Sequence, residues 1–281
     1  MQEIRFSPVP TLRVGQRLIR LLPPKVMGII NATPDSFYAG SRVLSVDKAL
    51  EQVEQMLAEG ASFIDVGGYS TRPGAQEVPL EEELRRVVPI VSAIAKRFPE
   101  AIISIDTFRA SVARAAIQEG AHMINDVSGG QADEQIFAVA GQLKVPYVLM
   151  HLRGNPQTMQ QLTHYQNIFT ELMNFFQQRI LQLHAAGCHD IVLDPGFGFA
   201  KTVEQNYTLL KNLAVFSNLG KPILVGLSRK SMIWKKLGNS PQEALNGTTV
   251  LNTMAILQGA HILRVHDVRP AVEIISLLSN G

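Results

Sequence analysis

Polar residues recur at one kind of place in this 281-residue chain: the end of a short apolar run. Asn31, Asp65, Asp106, Asn125 with Asp126, His151, Asp194, Ser228-Arg229-Lys230 and Arg264 with His266 all stand at or just beyond such a run. A single Asp or Asn there commonly caps the next helix or opens a turn. Repetition at run after run points instead to polar groups converging on one mouth, which is costly unless a polar ligand satisfies them. Asp106, Asn125 and Asp194 suit a flat, donor-rich heterocycle, because a carboxylate accepts two parallel hydrogen bonds from an amino-pyrimidinone edge. Arg72, Arg264 and His266 suit phosphate oxygens. Together these residue types predict a heteroaromatic substrate carrying phosphate. The chain has no Walker loop, and Gly196-Phe197-Gly198 alone is a weak glycine signal.

The apolar runs that carry these residues span 25–31, 62–66, 101–106, 122–126, 146–151, 190–194, 222–226 and 261–266. Helical patterns separate them, at 46–57, 80–97, 109–119, 133–143, 162–186, 201–216, 229–237 with 241–258, and 268–278. Pro89 lies inside the second pattern and predicts a kink. Continuous apolar strands alternating with helices predict a parallel sheet covered on its outer face. Repeated eight times without a linker, they predict an α/β fold, a single (β/α)8 TIM barrel, whose active site lies at the C-terminal strand ends, with a doubly wound open sheet as the structural alternative. Residues 1–24 read as an N-terminal extension, with 11–22 plugging the barrel bottom, and 25–281 as the barrel domain.

Composition agrees with such a core: 46% of residues are hydrophobic and 18% charged. The 26 Lys and Arg against 24 Asp and Glu leave a net charge of +2, which gives no electrostatic case for nucleic acid or membrane surface as a partner. Cys188 is the only cysteine, so an intrachain disulfide and a thiolate cluster are excluded and a reducing compartment is expected. The first 20 residues are interrupted by Pro8, Pro10 and several arginines and lack a signal-peptide core. A cytoplasmic location is expected.

The segments also carry a specific resemblance. Asn31-Ala32-Thr33-Pro34-Asp35-Ser36-Phe37 resembles the first signature of dihydropteroate synthases, the sulfonamide-inhibited enzymes of the folate pathway, and Gly67-Gly68-Tyr69-Ser70-Thr71-Arg72-Pro73-Gly74-Ala75 resembles the second. It continues through Ser104-Ile105-Asp106-Thr107, Ile124-Asn125-Asp126-Val127, Leu149-Met150-His151 and Asp194-Pro195-Gly196-Phe197-Gly198-Phe199. It ends with Gly226-Leu227-Ser228-Arg229-Lys230-Ser231 and Arg264-Val265-His266-Asp267-Val268. The resemblance implies a pterin pocket of Asp106, Asn125, Asp194 and Lys230, with Asp106, Asp194 and Lys230 catalytic. It implies a diphosphate site of Asn31, Arg72, Arg264 and His266, with Mg2+ near Asn31. Phe37, Thr71, Pro73, Phe199, Ser228 and Lys230 would frame p-aminobenzoate. The implied reaction is dissociative, joining 6-hydroxymethyl-7,8-dihydropterin diphosphate to p-aminobenzoate. Loops 31–43 and 68–77 would close over it, and the resemblance implies a homodimer.

Other strand-end residues have plainer readings. Asp65 is expected to bond neighbouring backbone or loop groups, His151 is open between pocket residue and satisfied strand-end histidine, and Trp234 reads as packing. Tyr69 stands where the family commonly has Glu, and Ala200 and Trp234 where it commonly has Gly. Two further functions compete. A pterin-dependent methyltransferase would share the barrel and the strand-end Asp and Asn, but would not need Arg264-Val265-His266 or Ser228-Arg229-Lys230. A non-catalytic pterin-binding relative would not need both loop signatures intact.

Overall fold

A computed structural model describes residues 10–32, 42–69 and 77–279. The described chain opens with a hairpin of two short strands, β1 (Thr11–Val14) and β2 (Arg17–Arg20), paired antiparallel. Gly15 makes the turn at a φ of 59°, a conformation that costs glycine little. Eight parallel strands follow: β3 (Lys25–Asn31), β4 (Phe63–Gly67), β5 (Ile102–Asp106), β6 (Met123–Asp126), β7 (Tyr147–Met150), β8 (Ile191–Asp194), β9 (Leu224–Val225) and β10 (Ile262–Val265). Their order is β8-β7-β6-β5-β4-β3-β10-β9. The Leu193 amide donates to the Pro222 carbonyl at 2.8 Å and Leu193 bridges to Ile223, so the two ends of the sheet meet and the barrel closes.

Alternation along each strand sends side chains to two destinations. Val26, Ile64, Ile103, Ile124, Leu149, Leu193 and Leu263 join the large outer core, together with the buried faces of the helices. Those helices are α1 (Arg42–Ala58), α2 (Leu80–Arg97), α3 (Ala110–Gln118), α4 (Ile136–Leu143), α5 (Ile168–Ala185), α6 (Val203–Lys211), α7 (Ser231–Leu237), α8 (Leu245–Leu257) and α9 (Val268–Ser279). One register over, Met27, Phe63, Ile102, Met123, Val148, Val192, Leu224 and Ile262 form a second core inside the barrel. Leu12 and Val14 of the hairpin and Leu21 just after it belong to that inner core, so the expected plug is a strand pair with its apolar side turned into the barrel. Leu12 is buried, and Leu12→Ala should cost about 2–5 kcal/mol. Urea denaturation would check this, and a cost under about 0.5 kcal/mol, typical of surface positions, would mean the hairpin does not fill the barrel.

Several helix limits differ from the sequence expectation. The pattern over 162–186 becomes a helix only at Ile168, because the Asn167 side chain caps it by accepting from the Thr170 amide at 3.1 Å. Thr202 and Gln205 form a capping box that starts α6 at Val203, and the rest of that pattern is a 3-10 helix at Leu213–Leu219. Helix α2 runs over the predicted span with Pro89 inside it. Trp234 packs half-buried against the outer core, as read from the sequence. Among the described residues no helix is long and apolar enough to cross a membrane.

Candidate active site

The alternation that fills the barrel bottom with apolar side chains delivers polar ones to its top. Two residues beyond Phe63 on the same face comes Asp65; two beyond Met123 comes Asn125; two beyond Val192 comes Asp194; two beyond Ile262 comes Arg264. Asp106 lies four beyond Ile102, in register with Gly67 on one side and Asn125 on the other. Arg264 joins three of these strands: its Nε donates to Asp65 Oδ2 and its Nη2 to Asp106 Oδ2, both at 2.6 Å. Asn125 Nδ2 donates to the same Asp65 oxygen at 2.9 Å. Asp65 is fully buried, and its partners are these two strand-end side chains rather than the neighbouring backbone or loop groups expected from sequence. Burial works against the Arg264 guanidinium, yet Asp65 and Asp106 hold it above its ordinary range. Burial, with Asp65, Glu83 and Asp126 nearby, pushes Asp106 up to about 7 against the pull of Arg264.

That shift has a sign in stability. A carboxyl raised on folding binds its proton more tightly in the folded chain, so stability falls as pH rises from about 4 to about 7. Asp106→Asn should flatten this part of the pH dependence of Tm, measured by calorimetry. An unchanged slope would contradict the assignment.

The turn after β8 forms the opposite wall. Gly196 (φ 70°), Gly198 (φ 81°) and Ala200 (φ 49°) all take left-handed conformations. A Cβ on Gly196 would lie 2.2 Å from the His151 carbonyl oxygen, so only glycine fits there. Ala200 takes its φ at some strain, where glycine would sit at little cost. The turn is tied down by Asp194 Oδ1, accepting from the Gly196 amide at 2.8 Å, and by Asn206 Oδ1, accepting from the Gly198 amide at 2.7 Å. Burial pushes the Asp194 carboxyl up, offset by Lys230, the Gly196 amide, Arg264 and Lys201.

Lys230 stands just before α7 and reaches back across the mouth. Its Nζ donates to the Phe197 carbonyl and lies 4.7 Å from the centre of the Phe199 ring. Burial lowers its pKa to about 8, against Asp194 and Asp106, which favour the ammonium. Ser228 Oγ lies 3.0 Å from His266 Nδ1 and accepts from the His266 amide at 3.2 Å, joining the ends of β9 and β10. The mouth therefore holds carboxylates, an amide and two cations around one opening, an arrangement able to grip a polar heterocycle and an anion together.

A family model described as "Pterin binding enzyme" matches residues 27–266. The chain is also 49% identical over 269 residues to the dihydropteroate synthase of Synechocystis sp., covering 94% of this chain and 93% of that protein. The chain belongs to the dihydropteroate synthase family. The enzyme of Escherichia coli K12 is 46% identical over 252 residues, with 89% of each chain covered. In structure, the chain resembles Yersinia pestis dihydropteroate synthase solved with a sulfonamide drug complex, at a TM-score of 0.91 and 42% identity over 96% of this chain and 98% of that one. Xanthomonas albilineans dihydropteroate synthase with 4-aminobenzoic acid gives a TM-score of 0.90 and 38% identity, over 97% and 98%.

Of the site residues expected by resemblance to dihydropteroate synthases, Asp106, Asn125, Asp194, Lys230 and Arg264 lie around the one mouth, with Phe199 against Lys230 and with Ser228 and His266 paired. Asn31 ends β3, in register with Gly67. Phe37, Thr71, Arg72 and Pro73 lie outside the described residues. Tyr69 packs edge-on against Phe108, with ring centres 5.1 Å apart, and the Arg109 guanidinium lies 5.6 Å from its ring. His151 is a buried strand-end residue packed on Phe175, its Nδ1 3.1 Å from Lys201 Nζ. Lys201 is buried as well, although from sequence a lysine opening a helical pattern reads as solvated. Its only sequence signal is adjacency to the Gly-Phe-Gly-Phe turn.

The fit of Mg2+ rests on donor chemistry. Among the described residues no cluster of three or more His, Cys, Asp or Glu is arranged to hold an ion. Asn31, half-buried at the mouth, offers one hard amide oxygen. That suits an ion that takes most of its ligands from phosphate oxygens and water.

Proposed function

We infer that this chain condenses 6-hydroxymethyl-7,8-dihydropterin diphosphate with p-aminobenzoate to give 7,8-dihydropteroate and diphosphate. The observation that carries this reading is the meeting of Asp106, Asn125, Asp194 and Lys230 at one barrel mouth, in a chain of this family. Asp106, Asn125 and Asp194 bind the pterin through its donor edge, and Lys230 donates to its acceptors. Asn31, Arg72, Arg264 and His266 hold the diphosphate. Phe37, Thr71, Pro73, Phe199 and Ser228, with the Lys230 stem, frame p-aminobenzoate.

The carbon–oxygen bond to diphosphate breaks with its electron pair leaving on oxygen, and the cation left behind is delocalised into the pterin ring. In their ionised forms Asp106 and Asp194 stabilise that cation, and Arg264 stabilises the departing anion. The arylamine nitrogen then bonds to the methylene carbon and loses a proton, so no protein nucleophile is required. Cys188 fits this account, since burial raises its thiol to about 12. Mg2+, held at Asn31 and by the diphosphate, would supply charge neutralisation to the leaving group.

We place the chain in the cytoplasm, as a homodimer formed through its last helices, where Leu257 and Leu277 are exposed. Residues 1–24 and 25–281 are its extension and barrel domain. Incubating purified protein with pterin diphosphate, p-aminobenzoate and Mg2+ tests the activity. Diphosphate release that depends on the arylamine is expected, and no release at micromolar enzyme would sink the reading.

A further inference from the structure

Lys201 is the one described lysine enclosed by the turn after β8, and the reaction as derived does not use it. Only 4% of its surface is exposed. Its Nζ donates to the carbonyls of Gly196 at 3.0 Å and Phe199 at 2.9 Å, and lies 3.1 Å from His151 Nδ1. An ammonium has three protons to give, and these three acceptors match them. His151 is itself fixed by Phe175, at 5.0 Å between ring centres, and by its own amide donating to the Asp194 carbonyl at 2.9 Å. Lys201 therefore ties the turn after β8 to the end of β7.

The residues it pins frame the site. Phe197 offers its carbonyl to Lys230 Nζ, and Phe199 offers its ring to the same ammonium. Asp194, at the start of the turn, is held through the Gly196 amide. Burying a cation is an expensive way to satisfy two carbonyls, which a water or a neutral donor could serve. Burial and the neighbouring Lys230 and Arg153 charges press its pKa down to about 7 against the help of Asp194. The cost is understandable if the turn must hold one shape.

We propose that Lys201 is a positioning residue for the arylamine pocket: gripping Gly196, Phe199 and His151, it fixes the turn that holds Lys230 and the Phe199 ring in place. This rests on the reading of Lys230 and Phe199 as parts of that pocket. The test is a double-mutant cycle in kcat/KM on the purified full-length chain, with Lys201→Met, Lys230→Ala and the pair, alongside Tm. Lys201→Met should lower kcat/KM about thirtyfold in the wild-type background but less than about threefold once Lys230 is alanine. The KM for p-aminobenzoate should rise more than that for pterin diphosphate. A merely structural lysine would give the same fold-loss in both backgrounds, and that result would overturn the proposal. If Lys201→Met does not fold, His151→Phe keeps the ring packing while removing the Nδ1 acceptor, and the same cycle applies. Coupling to Lys230 supports the proposal and independence overturns it. Absence of wild-type turnover would instead count against the assigned reaction, so the two failures are distinguishable.

Discussion

Replacing Lys230 by alanine is expected to lower turnover by about a hundredfold or more, about 2.7 kcal/mol in barrier, with Tm nearly unchanged. The side chain spans the mouth, its Nζ bonded to the Phe197 carbonyl and 4.7 Å from the Phe199 ring. It is thus within reach of both the carboxylate side and the aromatic side of the opening. Burial lowers its pKa to about 8, which means the fold disfavours its charge and loses little stability when the charge is removed. A solvated lysine just before the N-terminus of α7 would oppose the helix dipole and serve no packing role. Lys230→Arg should not restore the rate, because the planar fork directs its donors differently. The stem is also confined: a Cβ on Gly198 would lie 3.2 Å from Lys230 Cδ. Steady-state kinetics on both variants checks this, and near-wild-type rates in the alanine variant would remove Lys230 from the site.

The second large effect is expected at Asp194. If its carboxylate accepts two bonds from the pterin edge, Asp194→Ala leaves the ligand donors unpaired. Hydrogen bonds to charged groups contribute about 1.5–3 kcal/mol each, so pterin affinity should fall at least tenfold, read by calorimetry. Stability should change little, because two effects oppose. The Gly196 amide loses its acceptor at 2.8 Å, but a carboxyl whose ionisation burial disfavours is also removed. Asp194→Asn separates them, since an amide oxygen still serves Gly196 while its NH2 faces ligand donors. Binding should fall in both variants. Unchanged affinity in either would refute the role.

Much of this architecture was readable in the residues themselves. Strand β3 and helix α2 occupy the spans their patterns predicted, because each has an apolar period uninterrupted to its ends. The strand-end acids were legible as a set, since alternation along a parallel strand carries every second side chain to the same mouth. The hairpin of β1 and β2 was not, as its four-residue strands bury only Leu12 and Val14. Nor was the pairing of Arg264 with Asp65, which are 199 residues apart and brought together only by closing the barrel. Lys201 is illegible in the sequence for a different reason: lysine is rarely buried, and nothing local announces that three acceptors surround it.

A crystal structure of the protein with pterin diphosphate bound tests the central claim most directly. The amino-pyrimidinone edge is expected within hydrogen-bonding distance of Asp194 and Asn125, with Lys230 Nζ at a pterin acceptor and the diphosphate toward Arg264 and His266. A pterin bound elsewhere, or bound at this mouth with its donor edge turned away from the Asp194 carboxylate, would contradict it.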